Sequence, residues 1–90
     1  MYQIFYHPKV VSHDLPKISK SEKDRIQEAI ESKLTIEPLM YTLTLRQGLK
    51  GYRKLRVGDY RIIFKIIGKK ISILIIAHRS IVYDRIIKRI

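Results

Sequence analysis

The stretch GYRKLRVGDYRIIFKII, residues 51–67, decides the fold of this chain. It predicts two antiparallel strands that turn at Gly58 and Asp59, because a two-residue loop beginning with glycine between alternating segments is a strong hairpin signal. The loop also sets the register of the two strands. The predicted pairs are Val57 with Tyr60, Arg56 with Arg61, Leu55 with Ile62, Lys54 with Ile63, Arg53 with Phe64 and Tyr52 with Lys65.

The two faces of this hairpin differ in character, since side chains alternate along a strand. The predicted core face carries Leu55, Val57, Tyr60, Ile62 and Phe64, with Arg53 at its end. The other face is cationic and carries Tyr52, Lys54, Arg56, Arg61, Ile63 and Lys65. Like charges placed opposite each other destabilise a sheet, so Arg56 beside Arg61 indicates an anionic partner. The alternative is that these cations only protect a sheet edge from aggregation.

The net charge of +11 is confined to the second half of the chain. Residues 1–45 hold six Lys/Arg and six Asp/Glu, whereas residues 46–90 hold thirteen Lys/Arg and two Asp/Glu. Such a concentrated basic surface is typical of proteins that bind a phosphate-rich partner. Acidic proteins and anionic membranes attract cations by the same physics, so charge alone does not choose among these partners.

Length and composition exclude several classes of protein. Ninety residues, 46% of them hydrophobic, predict a single domain over residues 1–90 with a modest core. The chain contains no cysteine, which excludes disulfides and thiolate zinc sites and is consistent with the cytoplasm. No signal peptide is visible, and the apolar run at residues 71–77 is too short to span a bilayer.

The segment before the hairpin predicts one strand and two helices. Residues 2–6 alternate as a strand, and residues 9–18 suit a short helix with Val11, Leu15 and Ile18 on its apolar side. Ser19 or Ser21 can cap a second helix, which Glu37 and Pro38 end. Residues 39–49 are either a strand or an extended connector, and Gly48 and Gly51 bracket a turn. The apolar stripe of the second helix is Ile26, Ala29, Ile30 and Leu34.

The segment after the hairpin predicts a further strand and a C-terminal helix. A turn at Gly68 and Lys69 leads into a strand over residues 70–77, whose apolar run indicates a central position. It pairs Ile66 with Ile71, Phe64 with Ile73 and Ile62 with Ile75. Ser80 is the predicted N-cap of a helix over residues 80–90, with Val82, Tyr83, Ile86, Ile87 and Ile90 on its apolar side.

The predicted architecture is an α+β sandwich. An antiparallel sheet of about four strands, in the order β-α-α-β-β-β-α, carries the helical hairpin on one face and the C-terminal helix at the other. That last helix is expected to cover Ile63, Leu74 and Ile76 on the basic side of the sheet. A cleft lined by cations then forms between helix and sheet.

This cleft is expected to gather several cations, an imidazole and a phenol. The hairpin supplies Lys54, Arg56, Arg61 and Lys65, and the following elements supply His78, Arg79 and Tyr83. Paired carboxylates, a glycine-rich phosphate loop and metal-ligand spacing of histidines are all absent from the sequence. Each of these residues also has a purely structural interpretation. His78 then only ends a strand, Arg79 caps the helix or pairs with Asp84, and Arg56 and Lys65 are solvated cations.

Cleavage of RNA suits such a set of side chains, because it needs no metal. The ribose 2′-hydroxyl attacks its own phosphate and leaves a 2′,3′-cyclic phosphate and a 5′-hydroxyl. Arginine forks match phosphate oxygens and remain charged, and preorganised charge is often the largest catalytic contribution. Histidine or tyrosine can move the protons, with typical contributions of ~100- to 10,000-fold in rate.

Three motifs resemble the RelE/ParE toxin superfamily. They are Tyr52-Arg53-Lys54-Leu55-Arg56, Asp59-Tyr60-Arg61-Ile62-Ile63-Phe64 and Ala77-His78-Arg79-Ser80-Ile81-Val82-Tyr83. The resemblance extends over nearly the whole chain and implies a toxin of a toxin–antitoxin pair. It is nearest to the RelE branch, which implies a metal-independent endoribonuclease without cofactor that cleaves mRNA in the ribosomal A site. The implied partners are the ribosome, mRNA and a RelB-like antitoxin in a hetero-oligomer, with no membrane.

The resemblance also implies site residues. Lys54, Arg61 and Tyr83 match active-site positions of RelE-type toxins, Arg79 is a nearby substitute for a late arginine, and His78 resembles a histidine used by some relatives. A second lysine common in the family is replaced by Tyr52. The expected catalytic residues are Lys54, Arg61, His78, Arg79 and Tyr83, and the expected RNA-binding residues are Tyr52, Arg53, Arg56 and Lys65.

Two rival functions remain. The ParE branch shares the fold but inhibits DNA gyrase without cleaving RNA, and its members generally lack the full catalytic set. The other rival is a non-catalytic nucleic-acid-binding module. A variant Arg61→Ala that loses cleavage but keeps RNA binding would argue against this module.

Overall fold

A computed structural model describes residues 1–45 and 49–90 of the chain. The predicted turn residue Gly48 lies outside these residues. The strands are β1 (Gln3–Tyr6), β2 (Thr42–Thr44), β3 (Tyr52–Val57), β4 (Tyr60–Ile67) and β5 (Lys70–His78). The α-helices are α1 (Lys20–Ala29) and α2 (Val82–Arg89). Shorter helical segments are a π-helix (Val10–Asp14), a 3₁₀-helix (Leu15–Lys17) and a second π-helix (Ile30–Leu34) that continues α1.

The five strands form one sheet in the order β1-β5-β4-β3-β2. The hairpin of β3 and β4 has the predicted register at all six pairs, from Val57 opposite Tyr60 to Tyr52 opposite Lys65. Gly58 has a φ of 58°, which glycine adopts without the cost that a side chain would add. The predicted α+β class is therefore confirmed. Two features extend it, since β2 is a strand rather than a connector and β1 joins β5 in parallel.

A bulge in β5 corrects the predicted pairing of β4 with β5. Ile66 faces Ile71 and Phe64 faces Ile73 as predicted, but the register shifts at Ile63 and Phe64, so that Ile62 faces Ile76 instead of Ile75. The extra residue is Leu74, which has no partner on β4. Because side chains alternate, one inserted residue exchanges the faces of everything that follows it in β5.

The first face of the sheet is covered by the N-terminal half of the chain. The predicted stripe Ile26, Ala29, Ile30 and Leu34 is buried there against the sheet. Ser19 caps α1 as predicted, since its side chain accepts from the Glu22 amide. The same cluster contains Leu55, Val57, Ile62, Phe64, Ile71, Ile73 and Ile76, and we call this side the α1 face.

The first predicted helix is replaced by two short helical turns, and a different side of this segment faces the core. Residues 9–18 form a π-helical turn and a 3₁₀ turn, with Pro16 in the latter. Val11 is 58% exposed, whereas Val10 is fully buried. The wider π-helical spacing places Val10 and Asp14 inward. The prediction that Val11 packs on the core was therefore wrong.

The second face is covered by α2 and, in the described residues, also by Leu45 and Leu49, and we call it the α2 face. Val82 and Ile86 pack on Ile63, Ile75 and Ala77. The expected seat of this helix is confirmed for Ile63 and Leu74, whereas Ile76 belongs to the α1 face because of the bulge. Ser80 does not cap α2; the residue before the helix is Ile81, without a side-chain cap. Ile87 and Ile90, predicted on the apolar side, are 62% and 52% exposed.

Candidate active site

A cleft of about 520 Å³ opens on the α2 face. Its walls come from β2 and the following segment, from β3, and from α2. The lining residues are Leu43, Thr44, Leu45, Leu49, Lys54, Tyr83 and Ile87. This is the helix-on-sheet cleft that the sequence predicted, although most of its lining is apolar rather than cationic.

Lys54 and Tyr83 meet in this cleft. Lys54 lies on the cationic side of β3, and its Nζ donates to the phenolic oxygen of Tyr83 over 2.9 Å. The ammonium also lies 5.5 Å from the centre of the Tyr83 ring, a distance at which cation and ring attract each other. Tyr83 reaches back from the first turn of α2 and is 37% exposed. The two side chains are therefore held together while remaining open to a ligand.

Arg61 lies on the same face, diagonal to Lys54 across the hairpin. Lys54 faces Ile63, two residues further along β4 than Arg61, so Lys54 and Arg61 are diagonal neighbours on this face, typically about 7–8 Å apart in a sheet. Nη1 of Arg61 donates to the carbonyl oxygens of Gly58 and Tyr60, both at 2.9 Å. Arg61 is only 9% exposed and is not among the residues that line the cleft. The turn thus fixes the orientation of this arginine on the α2 face.

The other cations of the hairpin surround this pair more loosely. Arg56 is exposed directly opposite Arg61. Lys65 lies over the ring of Tyr52, 5.1 Å from its centre, and Tyr52 packs on the small cluster beneath α2. These three residues keep the predicted face but do not line the cleft.

Arg53 has a structural partner on the opposite face. Its Nε donates to the Thr42 hydroxyl over 2.8 Å, and its Nη2 donates to the Thr42 carbonyl over 2.9 Å. These bonds fasten the edge strand β2 to β3. The structure does not bring Arg53, which was expected to bind RNA, to the cleft.

The bulge at Leu74 separates His78 from the expected cluster. His78 pairs with Tyr60, whose ring it meets edge-on at 5.9 Å, and so points to the α1 face. Its Nδ1 bonds the hydroxyl and the amide of Ser80. The expectation that His78 shares a cleft with Lys54 is wrong, because the extra residue turned it over.

Arg79 follows β5 and lies beside the hairpin turn. Its amide donates to the Asp59 carbonyl, and its Nε is 3.9 Å from the Asp59 carboxylate. The partner is therefore Asp59 rather than the suggested Asp84. Arg79 is exposed, and its side chain does not line the cleft.

A buried ion pair between Asp14 and Arg89 was not predicted from the sequence. Nη1 and Nη2 of Arg89 lie 2.7 and 3.0 Å from the two carboxylate oxygens. The pair also satisfies the backbone at the bulge, because Arg89 donates to the Leu74 carbonyl and Asp14 accepts from the Ile76 amide. The available signal was an aspartate between the apolar positions Val10 and Ile18, at four-residue spacing.

The arrangement can hold an anion and transfer a proton. Arg61 offers a fixed fork for phosphate oxygens. The phenolic oxygen of Tyr83 accepts from Lys54, which leaves its own proton available to a ligand in the cleft. In residues 1–45 and 49–90, no group of three or more His, Cys, Asp or Glu side chains could hold a metal ion. No helix among them is long and apolar enough to cross a membrane.

Comparison with known proteins identifies relatives over nearly the whole chain. Residues 2–83 match the model of a family described as ParE toxin of type II toxin–antitoxin system, parDE. A search of curated protein sequences found no significant match.

Solved structures resemble the whole fold. The toxin–antitoxin complex RelBE2 from Mycobacterium tuberculosis contains a chain 28% identical, with a TM-score of 0.80 over 87% of this chain and 98% of that one. A chain of the RelB–RelE complex from Methanococcus jannaschii is 25% identical, with a TM-score of 0.69 over 90% of this chain and 96% of that one. YafQ from E. coli, at 18% identity and a TM-score of 0.60 over 92% and 99% of the two chains, shares the fold.

Proposed function

The chain belongs to the RelE/ParE superfamily of type II toxins, and from that premise we propose that it is a ribosome-dependent endoribonuclease that cleaves mRNA in the A site. The observation that carries the proposal is the contact of Lys54 with Tyr83 on the floor of an open cleft. A gyrase inhibitor has no need of a proton donor held in place by an ammonium.

The proposed reaction assigns the leaving-group side to this contact. The 2′-oxygen forms a bond to phosphorus while the bond from phosphorus to the 5′-oxygen breaks, leaving a 2′,3′-cyclic phosphate. Tyr83 gives its phenolic proton to the departing 5′-oxygen and takes one from the Lys54 ammonium at the same time. The 2′-hydroxyl proton passes to water or to a ribosomal group. The negative charge on the phosphate oxygens increases in the transition state, and Arg61 binds them there.

The proposed dependence on the ribosome rests on a group that the cleft lacks, a base for the 2′-hydroxyl proton. His78 lies on the other face, so no histidine is available beside Lys54 and Tyr83 to take the 2′-hydroxyl proton. Alignment of the 2′-oxygen with the phosphate therefore falls to the ribosome, which holds the mRNA in one conformation. Such orientation alone can lower the activation free energy by about 7 kcal/mol or more.

An antitoxin is the second proposed partner. Leu39, Met40, Tyr41 and Leu43 are each more than half exposed, and Leu43 lines the cleft. Contiguous exposed apolar residues mark interaction sites, and the net charge of +11 favours an acidic occupant. The similar RelBE2 and RelB–RelE structures are toxin–antitoxin complexes. An antitoxin segment in this cleft would cover Lys54 and Tyr83 and so block cleavage.

The test is primer extension on an mRNA held in a programmed 70S ribosome. Wild-type protein is expected to cleave in the A-site codon. Tyr83→Phe is expected to cleave ~100- to 10,000-fold more slowly, the range usual for a positioned proton donor, and Arg61→Ala about 100- to 1,000-fold more slowly, the range for a lost charge-stabilising donor. Tyr41→Phe, which also lacks a hydroxyl but lies outside the cleft lining, is the matched control and is expected to cleave at the wild-type rate. Absence of A-site cleavage by folded wild-type protein would overturn the proposal.

The rival is inhibition of DNA gyrase, which the matching family description favours. Gyrase supercoiling assayed with the same proteins separates the two. If Tyr83→Phe still inhibits gyrase supercoiling, and the wild-type protein leaves the ribosome-bound mRNA uncleaved, the ParE-type function would be established.

A further inference from the structure

A second basic surface lies on the other side of α2. A hollow of about 310 Å³ separates the N-terminal π-helix from α2. We call it the basic hollow, and its lining residues are Lys9, Ser12, His13, Arg85, Lys88 and Arg89. None of them lines the cleft that contains Lys54 and Tyr83.

The basic residues of the hollow come from two segments that face each other across it. Lys9 and His13 are four residues apart on the N-terminal segment, and Arg85 and Lys88 are three apart on α2, so each pair shares one helical side. Tyr83 and Ile87 are four apart and share the side of α2 that lines the cleft. One short helix thus separates two sites.

The charge of the hollow is not neutralised within the described chain. Arg89 is paired with Asp14, whereas Lys9, Arg85 and Lys88 take part in none of the salt bridges there. Cations in the last turn of a helix offset the helix dipole, which accounts in part for Lys88. Lys9 precedes its helical segment and gains nothing from that effect.

The lining chemistry favours RNA over other anionic partners. We propose that the basic hollow binds the phosphate backbone of a folded RNA, so that the toxin docks on ribosomal RNA with one side of α2 and presents the cleft with the other. All six lining residues are polar or charged, and lysine, arginine and serine are usual phosphate ligands. A protein partner or a membrane surface would require apolar anchors that this lining does not contain.

The docking function rests on the proposed ribosomal activity, but its test does not require cleavage. Binding to vacant 70S ribosomes, without mRNA, is measured across salt concentrations, because each phosphate contact adds about 0.7–0.9 to the slope of log K against log salt. The variant Lys9→Gln/Arg85→Gln/Lys88→Gln is expected to lower the magnitude of that slope by about 2–3.

A matched variant controls for net charge. Lys33, Lys69 and Lys70 lie over aromatic rings away from the hollow, and Lys33→Gln/Lys69→Gln/Lys70→Gln removes the same three charges. It is expected to change the slope by less than about 1. Equal changes in both variants would overturn the proposal, since they would report total charge only.

Two further measurements distinguish RNA docking from membrane binding and from a role in cleavage itself. Vesicles of phosphatidylcholine with phosphatidylglycerol test the membrane, and binding lost there but kept on ribosomes in the hollow variant would also overturn the proposal. Cleavage at saturating toxin is expected to be unchanged in the hollow variant, with a raised KM. A hollow-dependent slope without any cleavage would leave the docking surface in place and remove the proposed nuclease.

Discussion

The two faces of the sheet are covered to very different extents. The α1 face is closed by α1, the two π-helices and a 3₁₀ turn over a cluster that includes Phe64 and Ile26, both nearly inaccessible. The α2 face has one helix of eight residues, of which only Val82 and Ile86 are buried. The comparison indicates that the α1 face contributes most of the buried core, whereas the incomplete cover on the α2 face leaves the cleft with Lys54 and Tyr83 open.

The Asp14–Arg89 pair is where the two sides are joined, and removing it should have the largest effect on stability. Asp14→Ala leaves the Arg89 guanidinium buried without its partner, so unfolding in urea should show a loss of about 3–5 kcal/mol. Asp24→Ala, which breaks the exposed pair with Lys20, is the matched control and should cost less than about 1 kcal/mol.

A double variant sharpens this prediction. Asp14→Ala/Arg89→Met removes both charges, yet it should remain less stable than wild type, because the Ile76 amide and the Leu74 carbonyl lose their partners. Wild-type stability in the double variant would show that the pair does not hold the bulge.

Truncation of one isoleucine on each helix tests the division between the faces directly. Ile26→Ala creates a cavity in the closed face and should cost about 2–5 kcal/mol in urea unfolding. Ile87→Ala, the same change at a position 62% exposed, should stay within about 0.5 kcal/mol. Similar losses in both variants would break the comparison, because the α2 face would then depend on its helix as much as the α1 face does.

The smallest expected effect concerns alkaline stability of the α1 face. Burial, and secondarily repulsion from the Glu31 carboxylate, raises the pKa of Tyr6 above its ordinary value of 10.0. Since the folded pKa lies above the unfolded one, this contribution to stability is complete below pH 10.0 and is lost as pH rises through the folded value. Tyr6→Phe should therefore lose slightly less stability at high pH than wild type, measured against the exposed-site control Tyr41→Phe. An identical pH dependence in all three proteins would contradict this assignment.

The hairpin could be predicted from the sequence because its information is local. A glycine loop and strict alternation determine all six pairs between β3 and β4, and the helical stripe of Ile26, Ala29, Ile30 and Leu34 needs only its spacing. These local patterns are enough to predict α2 on the cationic face of the sheet and Tyr83 above it. The roles of Lys54, Arg61 and Tyr83 in cleavage remain predictions.

The bulge could not be predicted because its support is distant in the chain. Leu74 is accommodated by Arg89 and Asp14, which satisfy the backbone on either side of Ile75 from two other segments. The sequence of β5 itself contains no signal for the bulge. The consequence falls on the candidate site, since the inserted residue moves His78 to the α1 face and leaves Lys54 and Tyr83 without a histidine.

The parallel pairing of β1 with β5 constrains the order in which the protein can fold. Gln3 lies beside Lys70, so β1 has no partner strand until residue 70 and those after it have left the ribosome. Contacts between such distant segments form slowly, and β1 joins the sheet beside β5, the fifth of the five described strands in chain order. Tyr83 follows β5 in the chain, so Lys54 acquires its partner only after all five strands have been synthesised. The cleft therefore cannot assemble on the ribosome that is making the protein before the sheet and the first turn of α2 have been translated.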